Sequence, residues 1–230
     1  MTNGERERPF SLVSFAHDRE PSKTDRSFCY GPGMTSPTRT GRSEARDRLL
    51  ATASALFYRD GIRAVGVERI LAEAPATRAT FYRHFPSKED LVLAYLRAVD
   101  ADLRADAQAI IDAAPTAAEA VRGLGAAVAD SLTRPGFRGC AFLKAAAEHP
   151  DPDDPVRRVV LDHRSWYLDT LTGQFARVFA DSPRRPDPEH AARHFVMVRD
   201  GAMNGADLDG AEGVRAAFRR GVEGLLTVLH

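Results

Sequence analysis

Cysteine, tryptophan and long apolar runs are scarce in this 230-residue chain, and its charges cancel. The two cysteines, Cys29 and Cys140, lie far apart without ligand-like spacing. That excludes a disulfide framework and fits free thiols in a reducing cytoplasm. No apolar run approaches the ~20 residues that a membrane span requires. The first residues, Met1 to Arg8, mix charges of both signs and lead into no apolar segment, so a secretory signal is not expected. The 32 basic and 32 acidic side chains give a formal net charge of zero. Contact with nucleic acid would therefore need a local arrangement of Arg and Lys, not an overall basic field. Strand alternation, a phosphate loop and a nucleophile–base–orienter set are missing, so neither a β fold nor an enzyme is expected, and no cofactor is called for. His190 and His194 stand i, i+4, a spacing that can place two metal ligands on one helical face. No zincin motif surrounds them, and the Asp151-Asp153-Asp154 run lacks the Gly and terminal Glu of a calcium loop. No metal site is expected.

What is present is helical periodicity. Residues 1–42 are rich in Ser, Thr, Pro, Gly and Arg and read as a disordered arm. Met34 lies inside it and offers an alternative start that would leave only a short arm. From Ser43, a potential cap, Leu49, Ala53, Leu56 and Phe57 recur at helical spacing, and Gly61 stands where a left-handed C-terminal residue belongs. A short helix over Val67 to Ala74 ends at Pro75, because the residue before a proline is pushed out of the α region. Thr77 caps a second short helix, Arg78 to His84, which Phe85-Pro86 closes. Ser87, with Asp90 three residues on, opens a longer helix bearing Val92, Tyr95, Leu96, Val99 and Leu103 along one side. Two short helices joined by a tight turn between longer ones form a helix-turn-helix layout. Further helices follow over about Thr116–Leu132, Cys140–His149, a long one through Val160, Tyr167 and Val178, and two last ones marked by Phe195 to Met203 and by Val214 to Leu229. The Pro-Asp run 149–155 reads as a stiff connector.

Three segments carry a family resemblance. Leu56-Phe57-Tyr58-Arg59-Asp60-Gly61-Ile62 resembles the end of the first helix of regulators of the tetracycline-repressor (TetR) family. Val67-Glu68-Arg69-Ile70-Leu71-Ala72-Glu73-Ala74 resembles their second helix. Thr77 to Leu91, with its Thr80-Phe81-Tyr82-Arg83-His84-Phe85-Pro86-Ser87-Lys88 core, resembles the recognition helix and the start of the fourth helix. The match spans roughly Arg46 to Leu96; beyond it, Arg138-Gly139-Cys140-Ala141-Phe142 and the Pro-Asp loop resemble a subset of these regulators. Two positions depart from the pattern. Pro75 stands where the turn usually has glycine, and Gly66 replaces the capping Ser or Thr of the second helix.

The resemblance implies an all-α protein: an arm (1–42), a three-helix DNA-binding domain (43–95) and a helical ligand-binding and dimerisation domain (96–230). It implies a cytoplasmic homodimer on double-stranded operator DNA, with a small-molecule effector, no membrane, and a repressor released when the effector binds. At the groove-facing end of the recognition helix, Thr77, Arg78 and Thr80 are the expected base readers; Arg78 can bridge guanine O6 and N7. Tyr82, His84 and Lys88, with Arg46 near the start of the domain, are the expected phosphate contacts. Phe142, Trp166, Tyr167 and Met197 are candidates for an effector cavity. The stripe Val214, Phe218, Val222, Leu225 and Leu229, with room left by Gly221 and Gly224, is the expected dimer seam, the alternative being that it closes the monomer core.

Overall fold

The computed structural model describes residues 37–183 and 186–228, with side chains from Glu44 to Thr227. Cys29, Met34 and Leu229 lie outside that set, as does most of the arm. Among the described residues there are nine α-helices and no strand. The first, α1 (Pro37–Asp60), starts well before Ser43. Proline suits an N-terminal helical position, where an N–H would have no partner anyway. Helix α1 ends as its sequence implies: Gly61 adopts φ 92° and its N–H donates to the Phe57 carbonyl at 3.0 Å.

The two short helices are α2 (Val67–Glu73) and α3 (Arg78–His84). Pro75 between them needs no left-handed residue. The Ala76 N–H donates to the Ala74 carbonyl at 2.7 Å, closing a γ-turn with Pro75 at its centre. An inverse γ-turn has φ near −75°, close to the value the pyrrolidine ring imposes, so the missing glycine is replaced by a different turn and not by strain. Gly66 caps α2 with no side-chain hydrogen bond. Thr77 and Ser87 do cap: their hydroxyls accept from the N–H groups of Thr80 (3.1 Å) and Asp90 (3.0 Å).

Helix α4 (Lys88–Ala113) runs on through both halves of the molecule, so the boundary expected at Tyr95 falls in mid-helix. The remaining helices are α5 (Ala117–Ser131), α6 (Ala141–Glu148), α7 (Pro155–Val178), α8 (Pro188–Leu208) and α9 (Ala211–Val228). The Asp-Pro pairs are helix starts and not mere connectors. Asp154 and Asp187 each accept from the N–H two residues on (2.7 and 2.9 Å), with Pro155 and Pro188 in the first turn.

Three residues of the expected dimer seam are taken up inside the single chain. Phe218, Val222 and Leu225 are buried within the single chain. Helix α9 turns this face onto α5 and α8: the Phe218 and Phe195 rings meet edge to face with centroids 5.8 Å apart, and a Cβ on Gly125 would stand 3.1 Å from the Val222 methyls. Val214 is half-buried at the end of the same face. These three residues close the monomer core, and the small residue that admits Val222 is Gly125, not Gly221 or Gly224. The most exposed large apolar side chains among the described residues lie on α8, where Met197 is 68% exposed and Leu208 81%. Phe218→Glu is therefore expected to cost at least about 3–5 kcal/mol and abolish cooperative thermal unfolding, followed by circular dichroism. A folded variant altered only in its association state would contradict this assignment.

Candidate nucleic-acid interface and effector cavity

Helix α3 is held from behind by Phe81 and Phe85, both buried, and faces outward with Thr77, Arg78 and Tyr82. The exposed Arg78 guanidinium reaches back to the Glu68 carboxylate on α2. Thr80 is half-buried, its hydroxyl 3.0 Å from that of Thr77. Tyr82 is 48% exposed and lies edge-on to Phe81 (5.2 Å). Arg46, exposed on α1, places its guanidinium 5.3 Å from the Phe85 ring centre, so it borders the same domain face. His84 is half-buried. Lys88 is the departure from expectation: its ammonium is folded onto the Ile62 carbonyl at 2.6 Å. Burial holds its pKa below the usual lysine value, against the pull of nearby Glu148. Arg83, exposed on α3 with no ion pair among the described residues, is an anion-facing candidate that the sequence reading passed over.

Helix α6 and the loop before it clasp this domain at three points. Glu148 accepts from the N–H groups of Ile62 (2.9 Å) and Arg63 (2.6 Å) with its two carboxylate oxygens. Lys144 donates to the Tyr58 carbonyl. The Tyr58 hydroxyl donates to the Gly139 carbonyl and accepts from the Arg138 N–H, both at 2.9 Å, in the loop leading into α6. That loop takes left-handed backbone at Gly136 (φ 76°) and Gly139 (φ 85°).

The same loop and the first turn of α6 line a small cavity of about 60 Å³. Its walls come from α4 (Leu103, Asp106, Ala107, Ile110), α5, the loop (Phe137, Cys140), α6 (Phe142), α7 (His163, Trp166, Tyr167) and α8 (Arg199, Met203). Three of the four expected lining residues are there. Met197 is not: it sits on the outer surface of α8, and Met203 takes the inward place with Arg199 one turn before it. Arg199, His163 and Cys140 carry no helical signature that would separate them from plain core in a sequence. Among the described residues no three acidic, Cys or His side chains group as metal ligands, and no helix is long and apolar enough to cross a membrane.

A capped three-helix unit with its second short helix facing outward, joined by a shared helix to a helical domain with an internal cavity, has the layout of a helix-turn-helix DNA-binding protein. The sequence model of the family described as bacterial regulatory proteins, tetR family, matches residues 49–95. SCO4454, a TetR-family transcriptional regulator from Streptomyces coelicolor of known crystal structure, is 50% identical, with 81% of this chain and 96% of that one covered at a TM-score of 0.77. The HTH-type transcriptional regulator YxaF of Bacillus subtilis is 38% identical over 55 residues. That stretch is 24% of this chain and 29% of YxaF, so it spans under a third of that protein's length. A TetR regulator from Chloroflexus aurantiacus shares the fold at 22% identity and a TM-score of 0.73, over 82% of this chain and 97% of that one. The chain belongs to the TetR family of transcriptional regulators.

One titratable group in the cavity wall ties stability to pH. The His163 ring is buried, stacks on Phe142 (3.7 Å, 4° between planes) and has Nδ1 2.7 Å from Asp100 Oδ1. Burial pushes its pKa down to about 4, overriding the upward pull of the Asp100 hydrogen bond, while Arg199 and Arg104 press it lower. The folded value lies below the ordinary 6.5, so on acidification the unfolded chain takes the proton first. Stability due to this group is full above about pH 6.5, falls as the pH drops towards 4 and is lost below that, on the order of 3 kcal/mol in all. Urea unfolding at pH 7 and 4.5 is expected to show a larger loss in the wild type than in His163→Gln, which retains a donor for Asp100. Equal losses in the two proteins would refute the assignment.

Proposed function

We propose that this protein is a cytoplasmic homodimeric repressor that holds a palindromic operator through α3 of each subunit and releases it when a small molecule enters the cavity between α4 and α8. The observation that carries the reading is the shared loop before α6, one side of which lines the cavity while the other holds Tyr58 at the end of α1. At about 60 Å³ the cavity is well below the ~150 Å³ that admits a benzene ring, so an effector has to push its walls apart. Phe142, Trp166 and Tyr167 line it, and α4 and α6 are the walls joined to the DNA-binding domain. Displacing either changes the separation of the two recognition helices, which must match successive major grooves.

In this reading Thr77, Arg78 and Thr80 read bases, and Tyr82, His84 and Arg46 meet phosphates. Lys88 orients the start of α4 through Ile62 before it adds charge at the DNA. The dimer seam moves to the outward strip of α8. Met197 and Leu208 flank Gly201 there, and a Cβ on Gly201, as on Gly213 and Gly224 of α9, would meet nothing within 4 Å. That leaves room for the close approach of a second backbone.

The test is selection of bound sequences from random DNA by the purified protein. Enrichment of a two-fold symmetric site is the expected result, and recovery of no preferred sequence would refute the reading. Arg78→Ala is expected to weaken operator binding by about 1–3 kcal/mol and to relax one base position in each half-site of that selection. Unchanged preference would remove Arg78 from the readers. Tyr58→Phe deletes both hydrogen bonds to the cavity loop; operator affinity is expected to stay within a few-fold of wild type while the effector concentration needed for release rises. A variant that responds to effector as the wild type does would show that the Tyr58 link transmits nothing.

A further inference from the structure

Arg199 is more than nine-tenths buried and lines an otherwise mostly apolar cavity, with Nη2 against Cys140, another residue of its wall. Its hydrogen bonds are unequal. Nη1 donates to Asp200 Oδ1 at 2.8 Å, a full ionic bond. Nη2 has only the Cys140 sulfur at 3.3 Å, a weak acceptor, and Nε finds no acceptor among the described residues. Nε and Nη2 form one edge of the guanidinium plane, the edge that takes a carboxylate through two parallel bonds. The charge is also unbalanced at this end. Asp200 is shared, since Arg164 binds its other oxygen, so two guanidiniums stand against one carboxylate. A buried donor edge left without an acceptor costs free energy that a carboxylate would recover.

The other walls describe the rest of such a molecule. Trp166, Tyr167, Phe142 and Phe137 line it with aromatic rings, although His163 already stacks on Phe142 and Arg104 lies over Trp166, so a ring entering here displaces or joins that stack. Asp106 lines the cavity from α4 and would repel a second negative charge. We infer that the effector is a small planar aromatic monocarboxylate, its carboxylate seated on the Nε–Nη2 edge of Arg199 and its ring among Phe142, Trp166 and Tyr167. This deepens the regulator reading above and depends on it only for the link to DNA release.

Trp166 is the only tryptophan in the chain, so its emission reports on the cavity directly. Titration of the full-length protein with trans-cinnamate and with its neutral counterpart cinnamamide is the test. The acid is expected to quench Trp166 and to bind ~10-fold or more tightly than the amide. Arg199→Gln is expected to erase that preference and Arg199→Lys to keep part of it, with circular dichroism confirming that each is folded. An amide that binds as tightly as the acid, an acid that does not bind, or a folded Arg199→Gln with the preference intact would overturn the assignment. The wild-type comparison decides the matter even if both variants fail to fold. Release of the selected operator by cinnamate is read separately. Sequence-specific DNA binding without acid preference defeats this inference alone, whereas acid binding by a protein that selects no DNA sequence upholds it and defeats the regulator reading.

Discussion

The end of α1 is where the molecule is held together functionally. A helix leaves its last carbonyls, and the loop after it its N–H groups, without intrahelical partners. Water usually supplies them. Here side chains of α6 do: Lys144 on the Tyr58 carbonyl, Glu148 on the Ile62 and Arg63 N–H groups. Charge-assisted bonds of this kind are roughly twice as strong as neutral ones, and a cation beside the α1 C-terminus also suits its dipole. Gly61 is part of the same arrangement. Its φ of 92° lets the chain turn, and a Cβ there would lie 3.2 Å from Glu148 Oε1. The DNA-binding unit is thus pinned to α6 by charge-assisted bonds that release would exchange for weaker ones to water.

That pinning gives the cavity its leverage. Helix α6 is short, Ala141–Glu148, with the cavity at its first turn and Glu148 at its last residue. A rigid segment of that length passes a displacement at one end to the other with little loss. Helix α4 does the same along a second line, from Ile110 and Leu103 in the cavity wall to Lys88 against Ile62. Both routes converge on Ile62, whose N–H and carbonyl are held by Glu148 and Lys88 respectively. Closely packed interiors shift between discrete arrangements more readily than they deform gradually, so in the proposed switch a wall pushed out of the 60 Å³ void would bias the whole unit.

The helical frame was legible in the sequence because its signals are local. Thr77 and Ser87 cap α3 and α4 as their spacing implies, and Gly61 ends α1. Phe142, Trp166 and Tyr167 were found for the same reason, as aromatics on helices with an inward stripe. Long-range relations were not legible. Whether the Val214–Leu225 stripe covers a neighbouring helix or a second subunit depends on where α5 lies, and no periodicity encodes that. Met197 and Met203 are equally apolar, and only the rotation of α8 separates the exposed one from the cavity-lining one. Arg199 hides behind a general expectation that arginine is a surface residue. The Tyr58–Gly139 and Glu148–Ile62 contacts join residues more than eighty positions apart.

Zero net charge and DNA binding are compatible here because several exposed arginines of the N-terminal domain rest on acids that are cheap to leave. Arg78 sits on Glu68, Arg69 on Asp60 and Glu73, Arg48 on Glu44, and each of these arginines is substantially exposed. Surface pairs of this kind contribute ~0–1 kcal/mol, so exchanging a carboxylate for a phosphate or a guanine edge costs little. If Arg78 reads a base as proposed, the acids would also act against indiscriminate binding. On a wrong sequence Arg78 would gain no bidentate base contact, and its return to Glu68 would compete with a merely electrostatic encounter. On the same proposal, a chain with the same arginines and no such acids would bind any duplex more tightly and distinguish sites less well. Exposed arginines would then supply the grip of a neutral protein on DNA, and their local acid partners the reason to let most of it go.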